Sequence, residues 1–455
     1  MSSVVDQGAV AGRGQGERFV SEFAARLERG QATGPAWLNE LRSAAMAWFR
    51  TSGFPTTRQE DWRFTPIGPI ASTAFVPAER LHVHPQQLAP YTFEEAAAEL
   101  VFVNGIYAPE LSRCPDTLTG VTVGNLADLL QRGGSALSGR LAGLASPTAT
   151  AFTALNTSLF ADGASVEIAR DAVVPQPIHV LFFSTVSGAP HASHPRLLFV
   201  AGEHSESRLI ETYAGLAPQV YLTNAVSEYL IGDRAIVDHY KVQRESTAAY
   251  HMATLQVRTG HQTNFVSHAL TMGSAIARND IAAVLGGEGG DTTLNGLYIG
   301  DGQQLLDTHT TIDHALPHNG SHELYKGILG GRSRAVFNGK IIVRPDAQKT
   351  DAKQTNKALL LSEQAEINTK PQLEIFADDV KCTHGATIGQ LDEEMVFYLR
   401  ARGLGRHEAR ALLIQGFAGD ITNRIRFEPL RARLDAALMS LLPKDSVEPS
   451  SRDRR

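Results

Sequence analysis

The sequence predicts a mainly β protein with helical ends, and three observations carry that expectation. From about Phe152, short runs in which apolar and polar residues alternate recur for roughly 230 residues, each bounded by Gly, Asn, Asp or Pro. Apolar residues stand at helical spacing between Phe19 and Phe49, and again beyond Gly389. The 40 glycines among 455 residues favour a chain with many turns. Successive β runs are spaced by about 10–15 residues, a period shared by sandwiches, barrels and solenoids of stacked strands. About fifteen strands would overfill one sandwich, and polar alternation persists along the whole region, so the solenoid is preferred.

In chain order, residues 1–16 are rich in Gly, Ala and Gln without an apolar period and read as a disordered tail. Phe19, Phe23 and Leu27 then mark a first helix. Pro35 and Trp37 introduce a second, with Leu38, Leu41, Ala45 and Phe49 on one face and Gly53 at its end. The segment GFPTTRQEDWRFTPIGPI is too polar for a strand but carries Trp62 and Phe64, so an ordered loop packed on the helices is expected. Phe93 to Leu100 and Val121 to Leu130 look helical in part, and LVFVNGIY places Asn104-Gly105 between apolar triplets, a strong hairpin signal. The predicted β core covers 151–388, after a mostly helical region at 17–150, and contains no helix. Beyond it lies a helical domain at 389–443. There Asp392 is a candidate N-cap and Gly403 a stop. A second helix spans His407 to Gln415, and Asp420 caps a third whose stripe is Ile421, Ile425, Leu430, Leu434, Leu438 and Leu441. Residues 444–455 read as a second disordered tail.

Composition narrows the function. Lys and Arg number 42 against 48 Asp and Glu, a net charge of −6, so the chain offers no broad basic field for nucleic acid or an anionic membrane. There is no apolar run of membrane-spanning length, and Met1 to Gly16 lacks the pattern of a secretory signal, so a cytoplasmic protein is expected. The two cysteines, Cys114 and Cys382, form no CxxC and are too few to hold an iron–sulfur cluster alone. No GxxxxGK[ST] occurs, and Gly286 to Gly290 lacks the lysine of a phosphate cradle, so this chain binds no ATP by that means. His322-Glu323 and His407-Glu408 begin like HExxH but reach Lys326 and Ala411 where the second histidine belongs, and no GxSxG is present.

Two groups could carry metal chemistry. On a strand, Asp307, His309 and Asp313 share one face and could ligate a metal ion through carboxylate and imidazole; the plainer reading, polar residues on an exposed strand face, carries more weight. Cys382 and His384, at i and i+2, share a face of an extended segment within reach of one soft metal ion, against the plainer reading of a buried Cys and a hydrogen-bonded His. Two ligands make an incomplete shell, so a cluster held there needs thiolates from a second chain. Asp378 and Asp379 point to opposite faces of a strand, which argues against a catalytic pair.

The stretch LLLSEQAEINTKPQLEIFADDVKCTHGATIGQLDEEMVFYLRARGL with the following ALLIQGFAGDI resembles the SufB/SufD family of iron–sulfur cluster assembly proteins, supported by PTTRQEDWRFTP and LNTSLFADGASVEI. The resemblance spans nearly the whole chain. It implies a right-handed parallel β-helix between helical ends, and no enzyme activity. It further implies pairing with SufB through the β-helix, a SufC ATPase on the C-terminal helices, and a transient cluster shared with SufB at their junction. The KCxHGAT motif implies His384 as the cluster residue, with a weaker implication for Cys382. The docking region for the ATPase would include Asp392, Met395, Phe397, Tyr398, Arg402, Arg406 and Phe417. Lys357 stands where the SufB branch carries a cysteine, which places the resemblance on the SufD side. Flavin binding by the assembled complex, and a homodimer of the free chain through its β-helix edge, are left open. Two other readings are a carbohydrate-acting β-helix enzyme, which usually needs an export signal, and a stand-alone metal chaperone using the Asp307 to His322 group.

Overall fold

A computed structural model describes residues 16–28, 34–115 and 118–441. The tails expected at 1–16 and 444–455 lie outside them, Gly16 excepted. Two sheets, of eleven and ten strands, face each other across one core. Consecutive strands of the core alternate between the sheets, and each pairs in parallel with the strand two further on. The product is a β-solenoid of about eight turns flanked by helices, as the alternating runs predict. Its last strands are β1 (Asp291–Gly300), β2 (Leu305–His314), β3 (Gly320–Leu329), β4 (Arg334–Val343), β5 (Asp351–Leu360), β6 (Glu366–Ile375) and β7 (Lys381–Gln390). Strands β2, β4 and β6 belong to one sheet and β1, β3, β5 and β7 to the other.

Parallel, in-register pairing stacks like positions above one another, so the interior consists of columns of side chains. One column runs Leu294, Glu323, Gln354 and His384; a second runs Gly296, Tyr325, Asn356 and Ala386; a third runs Tyr298, Gly327, Ala358 and Ile388. The two tyrosines are accommodated by the glycines beside them. A Cβ on Gly296 would lie 2.0 Å from Tyr325, and one on Gly327 would lie 2.0 Å from Tyr298.

The helices pack on the outside. α1 (Glu17–Glu28) and α2 (Ala36–Ser52) share a cluster that includes Phe19, Phe49, Phe54, Trp62 and Phe152. Phe152 lies in α3 (Ala151–Leu159), a helix inside the region expected to hold none. Its nine residues are all buried, which removes the polar face that would give it a helical period in the sequence. Asn156 secures it by donating to the carbonyls of Pro195 and Asn224, each at 2.8 Å. The expected hairpin forms between Ala98–Val103 and Ile106–Tyr107, with positive φ at both Asn104 and Gly105 as a type I′ turn requires. The helical tendency expected at Phe93 to Leu100 is overridden. Ala98–Val103 is a buried strand paired with Ile178–Ser184, and Glu99 accepts from the Phe93 amide and pairs with His179. Val121 to Leu130 divides into the strand Val121–Asn125 and the helix Leu126–Gln131.

At the C-terminal end, α4 (Glu393–Ala401), α5 (Arg406–Thr422) and α6 (Glu428–Leu441) follow β7. Asp392 caps α4 as expected, accepting from the Glu394 and Met395 amides, and Gly403 takes a φ of 97° after it. Asp420 caps nothing. It lies within α5, where its carboxylate is taken by Lys326 Nζ at 2.5 Å. Ile414, Ala418, Ile421, Ile425, Leu430, Leu434 and Leu438 pack on the outer face of the ten-stranded sheet, against residues such as Tyr240, Leu297 and Ile328.

Two of the interior glutamates have opposite surroundings. Burial alone would push Glu211 up, but His239, Lys241 and the Tyr213 hydroxyl hold it down to about 2. Glu323 has no cation beside it. Burial pushes its carboxyl up to about 7, with Thr310 and Gln354 opposing only in part.

Two outcomes follow from this packing. Gly327→Ala should lower stability by about 1–3 kcal/mol in thermal or denaturant unfolding, because the added methyl displaces Tyr298. Because Glu323 is raised in the fold, its contribution is fully present below the carboxylate's ordinary value and is lost as pH rises to about 7. Glu323→Gln should therefore gain stability over the wild type by about 1–3 kcal/mol between pH 5 and 8, read from denaturant midpoints at each pH.

Candidate functional site

The solenoid is closed at one end and open at the other. At its start, Val121–Asn125 crosses one sheet antiparallel to Gly163–Ile168, and the 98–107 hairpin ends the other. At its finish, β6 and β7 each pair on one side only, leaving two ten-residue edges with unpaired backbone groups among the described residues. The register makes Cys382, His384, Ala386 and Ile388 the topmost members of the interior columns. Among the described residues nothing covers them, so positions that belong to the core face outward. All of β7 except Cys382 is exposed, Ile388 at 49%, and the neighbouring Ile375 and Phe376 stand at 40% and 61%.

Cys382 and His384 lie on the same face, as their spacing predicts. Their surroundings differ. Cys382 is half-buried against an apolar cluster of Ile341, Val343, Ala352, Ala377 and Leu373. Burial pushes its thiol up, and Asp351 adds to the effect, which leaves the protonated, weakly ligating form in place. His384 is exposed, and its ring makes no hydrogen bond among the described residues. Cys114 is also free and lies against the Glu99 carbonyl, at the far end of the chain's β structure.

The Asp307 group does not converge. Asp307 is fully buried, accepting from Arg278 Nη1 at 2.7 Å and Thr65 Oγ1 at 2.6 Å, with His309 Nε2 at 3.1 Å. Burial alone would push its carboxyl up, but Arg278, His309 and Thr65 hold it below its ordinary value. Asp313 shares the face but is taken by Arg344, which donates through Nε at 2.9 Å and Nη2 at 2.6 Å. His314 turns inward to Ser321, and His322 is exposed on β3. Among the described residues no three His, Cys, Asp or Glu side chains are placed to hold a metal ion. What Asp307 holds instead is the 53–70 segment. Arg278 also donates to the Asp61 carbonyl at 2.6 Å and lies 3.9 Å over the Trp62 ring, which stacks on Phe152. Trp62 is buried as expected of an ordered loop, whereas Phe64 is 43% exposed.

The C-terminal helices present a second surface. On α4, Phe397 is 72% exposed, with Tyr398 and Met395 beside it. The Arg402 guanidinium covers the Tyr398 ring at 4.5 Å, and Arg406 and Arg410 approach Glu393. Phe417 is turned the other way: Lys326 Nζ sits 4.1 Å from its ring and donates to its carbonyl, tying α5 to the solenoid.

Two residues behind His384 escape sequence reading. Gln354 lies directly beneath it and donates to Glu323, one coil further down. The only signal for them is the coil period, which becomes usable once the register is known.

A family model described as the SUF system FeS cluster assembly SufBD core domain matches residues 182–417, and one described as the SufBD protein N-terminal region matches 15–180. An iron–sulfur cluster assembly SufBD family protein of Synechocystis is 36% identical over 84% of this chain and 86% of its own length. The iron–sulfur cluster assembly protein SufD of Escherichia coli is 31% identical over 86% of this chain and 90% of its own. With two family models matching residues 15–180 and 182–417 and relatives alike over more than four fifths of both chains, the chain belongs to the SufBD family of iron–sulfur cluster assembly proteins, as a SufD homologue.

Proposed function

We propose that this chain is a non-catalytic scaffold subunit that pairs with SufB through the open end of its β-helix and docks the SufC ATPase on its C-terminal helices, so that a cluster is built at the SufB junction. The observation that carries this reading is the uncovered last rung. Apolar core positions such as Ile375 and Ile388 are left in water beside two unpaired strand edges, and His384 stands among them. A second β-helix end laid on this rung would pair the edges and bury the columns. In isolation, a second copy of the chain covers the same end.

His384 supplies an imidazole to the cluster, which is the cargo of the system and leaves with its acceptor. Cys382 has the lesser role. The exposed aromatic and methionine side chains of α4, rimmed by Arg402 and Arg406, form the ATPase surface. Only Leu391 and Asp392 separate β7 from α4, so movement imposed on α4 acts at once on the strand that carries His384. Of the other readings, the metal chaperone loses its ligands to Arg278 and Arg344. Among the described residues no helix is long and apolar enough to cross a membrane.

His384→Ala should leave the complex with SufB and SufC intact but lower cluster formation, followed by visible absorption; normal assembly in this variant would remove the ligand role. Ile388→Lys should weaken the pairing with SufB by about ten-fold or more in a binding titration, since it places a charge where a core column is to be covered. Arg402→Glu together with Arg406→Glu should reduce SufC binding without touching SufB pairing. Equal loss of both partners would contradict two separate surfaces.

A further inference from the structure

The rung that presents His384 continues inward as a short polar seam. Gln354 stands in register beneath His384, and Glu323 beneath Gln354. The two are 2% and 3% exposed. Gln354 Nε2 donates to Glu323 Oε2 at 2.7 Å. A Cβ on Gly339, in the facing sheet, would lie 2.0 Å from that same Nε2, so glycine there leaves room for the amide. Gln354 Oε1 is buried without a hydrogen-bond partner, while the Thr310 hydroxyl faces Glu323. Below Glu323 the column is closed by Leu294. The seam therefore runs from Glu323 up to His384.

Buried polar atoms without partners are rare enough in folded proteins that one in register beneath an exposed histidine calls for a user. An amide's oxygen and nitrogen diverge from one carbon, so an amide whose NH2 is held on Glu323 keeps its oxygen free for another donor. A histidine that ligates metal through one ring nitrogen donates its other N–H to a carbonyl or carboxylate, which fixes its tautomer and ring plane. Gln354 Oε1 is an acceptor of that kind, in register with His384 and unused.

We propose that Gln354 and Glu323 are positioning residues for His384: Glu323 anchors the Gln354 amide, and the Gln354 carbonyl accepts the His384 ring N–H when a partner covers the rung, leaving the other ring nitrogen to face the iron. This rests on the ligand role proposed for His384 above.

The test uses the reconstituted complex with SufB and SufC, with two readouts: the yield of assembled cluster, and the nitrogen hyperfine coupling of the reduced cluster in pulsed paramagnetic resonance. Gln354→Leu should retain its partners, lower the yield by about ten-fold to a hundred-fold, and alter or abolish the nitrogen coupling. The double exchange Glu323→Gln with Gln354→Glu keeps an amide–carboxylate pair with an acceptor under His384, and should restore both readouts. Loss of the coupling in His384→Ala with no change in a folded Gln354→Leu overturns this inference alone. No change in either variant overturns the ligand role beneath it. Should Gln354→Leu fail to fold, the exchange variant decides: folded and without the coupling, it refutes the relay; folded with wild-type coupling, it supports it.

Discussion

The rest of the structure depends on in-register stacking of parallel strands. Each coil covers the inward side chains of the one before it and is covered by the one after, so no coil is complete alone. At the start of the solenoid the chain answers this with an antiparallel strand and a hairpin. At the finish no equivalent stands among the described residues, and the same columns that are tightly filled around Tyr298 and Tyr325 emerge uncovered at Ile388 and Ala386. An exposed edge of that kind invites another chain. On the proposed function, it is this asymmetry between the ends that makes an assembly site of an otherwise closed fold.

Stacking also decides which polar groups the interior can tolerate. Glu211 is surrounded by Lys241, His239 and two tyrosine hydroxyls, and its charge is met from several sides. Arg278 and Asp307 meet one another, and the pair is used again outside the sheet to hold Trp62 and the 53–70 segment against the wall. Glu323 alone among these is offered only neutral partners, and it lies nearest the open end. Its position at the foot of the His384 column accounts for a departure that the packing of the solenoid does not require.

Much of this was legible in the sequence, and the gaps have identifiable causes. Period-two alternation announced the β core, and Asp392, Gly403 and the Asn104-Gly105 turn fell where local chemistry put them, because each depends on neighbours in the chain. α3 was invisible because a helix buried on every side has no polar face to set a period. Phe93 to Leu100 misled because Glu99 answers to His179, eighty residues away. Asp420 misled for the same reason, its carboxylate being committed to Lys326. Asp307, His309 and Asp313 share the predicted face, yet Arg278 and Arg344 come from adjacent coils, and only the register reveals them as partners. Cys382 and His384 share the face that their spacing predicts, and the ligand role proposed for them comes from the family resemblance, whereas Gln354 needed the fold.

The unequal standing of Cys382 and His384 follows from how each ligand must be prepared. A thiol ligates only after losing its proton, and Cys382 sits where burial and the nearby Asp351 both resist that loss. The metal's own charge can overcome the resistance, but only once the metal is already held by other groups. A neutral imidazole meets no such barrier. His384 stands one position further along the same face, clear of the apolar cluster that encloses Cys382, and directly over an amide able to orient its ring. On the ligand roles proposed above, the imidazole would therefore engage first, and the thiol only once iron is held by other groups.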